Sequence, residues 1–151
     1  MDKQSLEILI KRYEDVYLFA TKSISALISE QVLEELSLEQ FAVLRNLHLK
    51  GTLKSSELAE YCGVNKSAMT AKIDRLEARQ LVERIRDEED RRNVYINITD
   101  EGRKIYLKGE EKIENFVASY LQELTHEELD SFITIYEKIN TIIEKRRGGL
   151  T

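Results

Sequence analysis

Ser55-Ser56-Glu57-Leu58-Ala59-Glu60-Tyr61-Cys62-Gly63-Val64-Asn65-Lys66-Ser67-Ala68-Met69-Thr70-Ala71-Lys72-Ile73-Asp74-Arg75-Leu76 is the stretch on which the fold turns. Its first part predicts a short helix from about Ser55 to Tyr61, with Leu58 and Ala59 turned inward. Gly63 closes it, because glycine takes the left-handed conformation that ends helices without steric cost. Asn65 then predicts the N-cap of a second helix running to about Arg79, with Val64 and Met69 in staple positions. Met69, Ile73 and Leu76 form the buried face of that helix; Lys66, Ser67, Thr70, Ala71, Asp74 and Arg75 form the other. Two short helices joined by a tight glycine-containing turn, the second with a small and polar outer face, make a helix-turn-helix.

Downstream the hydrophobic period changes from helical to alternating. Leu81 to Arg86 reads as a strand, and Val94, Ile96 and Ile98 alternate with Tyr95 and Asn97 in a second. Between them lies the charged loop Asp87-Glu88-Glu89-Asp90-Arg91-Arg92-Asn93. A hairpin placed directly after a helix-turn-helix is a wing.

Upstream, Leu6, Leu9, Ile10, Tyr13, Val16, Tyr17, Ala20, Ile24, Leu27 and Ile28 make one apolar stripe on a long helix. Ser37-Leu38-Glu39-Gln40 is a capping box with Leu36 and Phe41 as its staple. Phe41, Leu44 and Leu47 line the short helix it starts, which stops at Gly51. After the wing, Thr99 is placed as an N-cap, and Ile105, Ile113, Phe116, Val117, Tyr120, Leu121 and Leu124 continue a stripe. Thr125-His126-Glu127-Glu128 is a second capping box. Phe132, Ile133, Tyr136, Ile139 and Ile143 line a last helix that ends at Gly148-Gly149. The expected fold class is therefore mainly α with a small β-hairpin wing: a winged helix-turn-helix plus a helical lobe.

The 151 residues suffice for one domain or two small lobes, and the absence of proline favours long helices. No run approaches the ~20 apolar residues of a membrane span, and Met1-Asp2-Lys3-Gln4 does not open a signal peptide, so the cytoplasm is the expected location. The single cysteine, Cys62, excludes an internal disulfide framework. The net charge of −5 hides an uneven distribution: residues 63–86 hold six basic side chains against three acidic ones. That local excess, rather than the sum, bears on an anionic partner. No catalytic serine or cysteine arrangement, phosphate loop or dinucleotide fingerprint is present, which leaves an enzyme reading without residues. His48 and His126 have no ligand-spaced companions, so neither a metal nor another cofactor is expected.

Glu57-Leu58-Ala59, Asn65-Lys66-Ser67-Ala68-Met69-Thr70, Ile73-Asp74-Arg75-Leu76-Glu77, Leu81-Val82-Glu83-Arg84, Asp90-Arg91-Arg92 and Ile98-Thr99-Asp100-Glu101-Gly102 together resemble the MarR family of regulators. The most specific part is the wing Asp-x-Arg followed by a hydrophobic-Thr pair and an acidic-Gly. The resemblance implies a homodimeric transcriptional regulator, a repressor that binds a palindromic duplex DNA operator and is released by a small aromatic or phenolic effector. It implies dimerisation helices at 1–34 and 100–147 and a DNA-binding lobe at 37–98, with the helix-turn-helix at about 54–78 and the wing at about 81–98.

The DNA-contacting residues expected on this basis are Ser55, Asn65, Lys66, Ser67, Thr70, Ala71, Lys72 and Arg75, with Arg91 and Arg92 on the wing. Short side chains such as Ser67, Thr70 and Ala71 let a helix approach base edges, and cations reach phosphates. An arginine on a thin wing suits the negative potential of a narrow minor groove. By resemblance Asp74 and Asp90 brace the wing against the recognition helix, Asp74 through Arg92. Tyr13, Tyr17 and Phe19 lie where family members hold effectors. Aromatics on a helical stripe are more often core, and free cysteine is more often packing than sensor. The rival reading, from another class, is a winged helix used as a protein–protein module.

Overall fold

The computed structural model describes residues 1–148, and for Val32 the backbone alone. Its elements are α1 (Lys3–Leu27), a π-helical turn (Ile28–Val32), α2 (Leu38–Lys50), β1 (Leu53–Lys54), α3 (Ser55–Cys62), α4 (Lys66–Ala78), β2 (Val82–Arg86), β3 (Val94–Ile98), α5 (Asp100–Leu121) and α6 (His126–Gly148). Two compact units can be separated, one of residues 1–113 and one beginning at Glu114.

In the first unit the local signals act as their chemistry requires. The Ser37 hydroxyl accepts from the Gln40 N–H at 3.1 Å while the Gln40 amide oxygen accepts from the Ser37 N–H at 3.2 Å, closing the capping box of α2. Leu36 and Phe41, its staple, are both buried. Gly51 and Gly63 end α2 and α3 at positive φ, 83° and 66°. Phe41, Val43, Leu44 and Leu47 of α2 pack with Leu58 and Ala59 of α3, Met69, Ile73 and Leu76 of α4, and Leu81, Val82, Ile96 and Ile98 of the wing, all buried. Burying a side chain of this size stabilises by about 1.5–3 kcal/mol, so this cluster orders the lobe. Tyr106 of α5 closes it, its ring 5.2 Å from Phe41 and 4.8 Å from His48.

The hairpin pairs Val82 with Ile98 through Arg86 with Val94. It is part of a three-stranded antiparallel sheet in the order β1-β3-β2, in which Leu53 pairs with Ile96 and Lys54 with Tyr95. The two-residue β1 has no alternating pattern to announce it; it forms because β3 offers a second edge. The strand expected from Leu81 starts at Val82: the Leu81 N–H donates to the Leu76 carbonyl at the end of α4 at 2.9 Å, while its carbonyl accepts the Thr99 N–H at 3.1 Å in line with the β2–β3 register.

In the second unit, Thr125 and Glu128 close the second capping box at 2.8 and 3.1 Å, and α6 follows. No described residue of α6 is buried, and none of α1 is. The expected stop at Gly148-Gly149 falls partly outside the described residues; Gly148 is still helical.

Candidate nucleic-acid interface

The second helix of the motif, α4, starts where Asn65 predicts: its Oδ1 accepts from the Ala68 N–H at 2.8 Å. That bond commits the oxygen and leaves the amide N–H2 as the donor end of Asn65. Lys66, Ser67, Thr70, Ala71, Asp74 and Arg75 are exposed along α4. The Thr70 hydroxyl donates to the Lys66 carbonyl at 2.9 Å, so the methyl is the part of that side chain without a bond inside the helix.

Beside α4 lies a cleft of about 330 Å³ that gathers Lys54, Ser55 and Ser56 at the start of α3, Lys66 and Thr70 of α4, and Arg84, Arg92, Asn93 and Val94 of the wing. The structure thus brings the expected Ser55, Lys66, Thr70 and Arg92 together across elements up to 37 residues apart in the chain. Lys54, Ser56, Arg84 and Asn93 join the cleft without having been expected. No sequence signal marked Arg84, because its partners Asp74 and Glu77 lie on another element, α4.

Arg84 is the junction of helix and wing. Its Nη1 donates to Glu77 Oε1 at 2.7 Å and its Nη2 to Asp74 Oδ1 at 2.5 Å, while its backbone N–H donates to Glu77 Oε2 at 3.1 Å. Burial works against the charge, but the bonds to Asp74 and Glu77 outweigh it and hold the guanidinium above its ordinary range. The Asp74 brace therefore engages Arg84 and not Arg92. Asp74 and Arg84 face each other from α4 and β2, whereas Arg92 lies in the hairpin turn. Arg92 pairs instead with Asp90, Nε to Oδ1 at 3.1 Å and Nη2 to Oδ2 at 3.3 Å. The Arg92 side chain and then its backbone N–H hold the Asp90 carboxyl below the usual range. With 91% of its side chain exposed, Arg92 stays available to a partner. Arg91 is exposed as well.

Lys72 departs from the expected set. Only 15% of its side chain is exposed, and its Nζ donates to Glu39 Oε2 of α2 at 2.8 Å. The residue lies on the flank of α4 that meets α2, next to a pocket of about 200 Å³ that also holds Cys62. Position 72 follows Ala71 by one residue, which turns it about 100° away from the exposed face.

Cys62 is half-buried at the end of α3, with Asn46 Nδ2 at 3.8 Å from its sulfur. Burial pushes its thiol up, against smaller opposite effects from Asn46 and Lys72, so the nucleophilic thiolate is disfavoured. Cys62→Ser is expected to keep DNA affinity, and mild peroxide is expected not to release the wild-type protein from DNA. Both are read by fluorescence anisotropy on a labelled duplex; peroxide release abolished by Cys62→Ser would contradict this.

Tyr13 and Tyr17 stack at 5.8 Å on α1, and Phe19 is 75% exposed. No group of three or more metal-ligating side chains occurs among the described residues. His48 sits against Tyr106, and no described helix is long and apolar enough to cross a membrane.

Comparison with known proteins agrees with this geometry. A model of the MarR family matches residues 36–94, the span from the start of α2 into the wing. The uncharacterized HTH-type transcriptional regulator YdgG of Bacillus subtilis (strain 168) is 30% identical over 152 residues, covering 99% of this chain and 97% of its own length. The chain belongs to the MarR family. It is a winged helix-turn-helix transcriptional regulator of that family. The HTH-type transcriptional repressor MdtR of the same organism is 41% identical over 93 residues, 60% of this chain and 58% of its own length. In fold, a cysteine-to-serine mutant of MarR from E. coli complexed with operator DNA is similar at a TM-score of 0.76 and 22% identity, over 92% of this chain and 99% of that one.

Proposed function

We propose that this MarR-family chain is a repressor that acts as a homodimer on a near-palindromic operator and is released by a small aromatic or phenolic effector. It acts by binding alone, in the cytoplasm. The observation that supports the reading is the exposed α4 face, with Lys66 and Thr70 sharing a cationic cleft with wing residue Arg92. In this reading Ser67, Thr70 and Ala71 approach base edges, the Asn65 amide and Lys66 reach bases or phosphates, and Ser55 meets a phosphate at the start of α3. Arg91 and Arg92 enter the adjacent minor groove. Residues 1–34 and 100–147 supply the dimer contacts, and Tyr13, Tyr17 and Phe19 face the effector. A two-fold dimer presents two copies of α4 to one face of the duplex, so the half-site centres stand about one helical turn, ~34–36 Å, apart.

Two arginines test the reading. Arg92→Ala is expected to weaken binding to many sequences alike and to lower the slope of log K against log salt by about one, as loss of one phosphate contact does. Arg75→Ala is expected to relax discrimination between related duplexes, by about 1–3 kcal/mol for a lost bidentate base contact. Titrations of a duplex selected by the wild-type protein from a randomised library check both. If neither variant changes affinity and wild-type binding is insensitive to salt, the DNA face is wrong and the protein-binding module becomes the better reading.

A further inference from the structure

Lys72 on α4 and Arg79 at its C-cap stand seven residues apart, about two helical turns, and each bonds to one of two consecutive residues in the first turn of α2. Lys72 Nζ donates to Glu39 Oε2 at 2.8 Å, and Arg79 Nη1 donates to Gln40 Oε1 at 3.3 Å. That same Gln40 oxygen accepts the Ser37 N–H in the capping box, so the bond to α4 is built into the start of α2. The Lys72 side chain is 15% exposed and that of Glu39 is 73% exposed. The ammonium is thus committed to the α2–α4 junction, while Lys66 and Arg75 stay on the exposed face. Just upstream, Glu34 and Glu35 pair with Lys112 at 3.7 Å and Lys108 at 3.6 Å, both on α5. The segment from Glu34 to Gln40 is therefore tied to α5 at one end and to α4 at the other.

We infer that Lys72 and Glu39 are positioning residues for DNA recognition: the pair sets the aim of α4 on α2, and Lys72 touches no phosphate. The inference rests on the DNA face proposed above. Its physical basis is that α4 is held by ions on two flanks. Arg84 grips Asp74 and Glu77 from the wing side, and Glu39 grips Lys72 from the α2 side. Removing one partner of the second pair leaves a largely covered ammonium without its counter-charge, and the helix relaxes toward the remaining grip. Base contacts fail on such a shift because their hydrogen bonds are directional, whereas phosphate contacts by long cations tolerate it.

The test uses a duplex selected by the wild-type protein from a randomised library and a scrambled duplex of the same composition. Lys72→Met and Glu39→Gln are each expected to lose about fivefold in affinity for the selected duplex, the scale of energetic coupling through side-chain networks. Both are expected to bind the scrambled duplex as the wild type does and to keep its salt slope. The combined variant is expected to lose no more than either alone, since one interaction is being removed, and Lys72→Arg is expected to restore binding. Glu39 is exposed, so Glu39→Gln and Lys72→Arg carry the test if Lys72→Met folds poorly by circular dichroism. A salt slope lowered by about one in Lys72→Met with Glu39→Gln silent would make Lys72 a phosphate contact and overturn the inference. So would wild-type affinity in both single variants, or an equal loss on selected and scrambled duplexes. Lys66→Ala, run alongside, separates these outcomes from an error in the DNA face: an unchanged affinity and slope there removes the face itself.

Discussion

Gly102→Ala is expected to lower the melting temperature by about 10 °C, following a loss of about 3 kcal/mol in a chain of this length. A Cβ at Gly102 would overlap the carbonyl oxygen of Leu81, stand 2.9 Å from that carbonyl carbon and lie 3.0 Å from Cγ1 of Ile98. The obstacle is backbone, and it is not free to move. The Leu81 carbonyl accepts the Thr99 N–H at 3.1 Å, and the Thr99 hydroxyl donates to the Gln80 carbonyl at 2.7 Å. The Thr99 hydroxyl also accepts the Gly102 N–H at 3.0 Å, so the first turn of α5 is locked onto Gln80 and Leu81, the two residues before β2. Relief requires either opening this knot or withdrawing α5, whose Tyr106 covers Phe41 and His48. Thermal unfolding followed by circular dichroism checks the effect; a shift under about 2 °C, less than 1 kcal/mol at this size, would show that the close approach is not required.

The combined variant Ile133→Glu, Tyr136→Glu is expected to abolish dimerisation at micromolar concentration and to cut operator affinity at least about a hundredfold, the gain that two linked half-site contacts give over one. The motive is exposed apolar side chains on long helices: Leu6, Leu9, Ile10 and Tyr13 on α1, and Phe132, Ile133, Tyr136 and Ile143 on α6, are each more than 40% exposed. Carboxylates placed in such a seam cost several kcal/mol each when left unpaired, by rough estimate from charge burial. Light scattering after size exclusion gives the mass directly. A folded wild-type monomer at micromolar concentration, or a variant that keeps both the dimer mass and the affinity, would refute the assignment.

The features that were legible without coordinates are those whose causes lie within a few residues. The Ser37–Gln40 and Thr125–Glu128 boxes, the Asn65 cap, the buried triad Met69, Ile73 and Leu76, and the alternation of Val94, Ile96 and Ile98 all follow from periodicity and from backbone groups within one turn. The helix-turn-helix with its wing was therefore readable, and so was most of the exposed face of α4.

Side-chain partners across elements were decided by the tertiary structure alone. Asp74 meets Arg84 because α4 and β2 lie alongside each other, and Arg92 is left to Asp90 within its own turn. Lys72 reads as one more cation on a helix, yet the α2 packing that brings Glu39, 33 residues away, within 2.8 Å turns it from the exposed face into the junction. Strand β1 exists because β3 has a free edge, and Gly102 is needed because the Leu81 carbonyl passes against it. Periodicity assigns a residue to a face of its own element. Which atom occupies the space opposite that face depends on how the elements dock, and docking is set by the whole core at once.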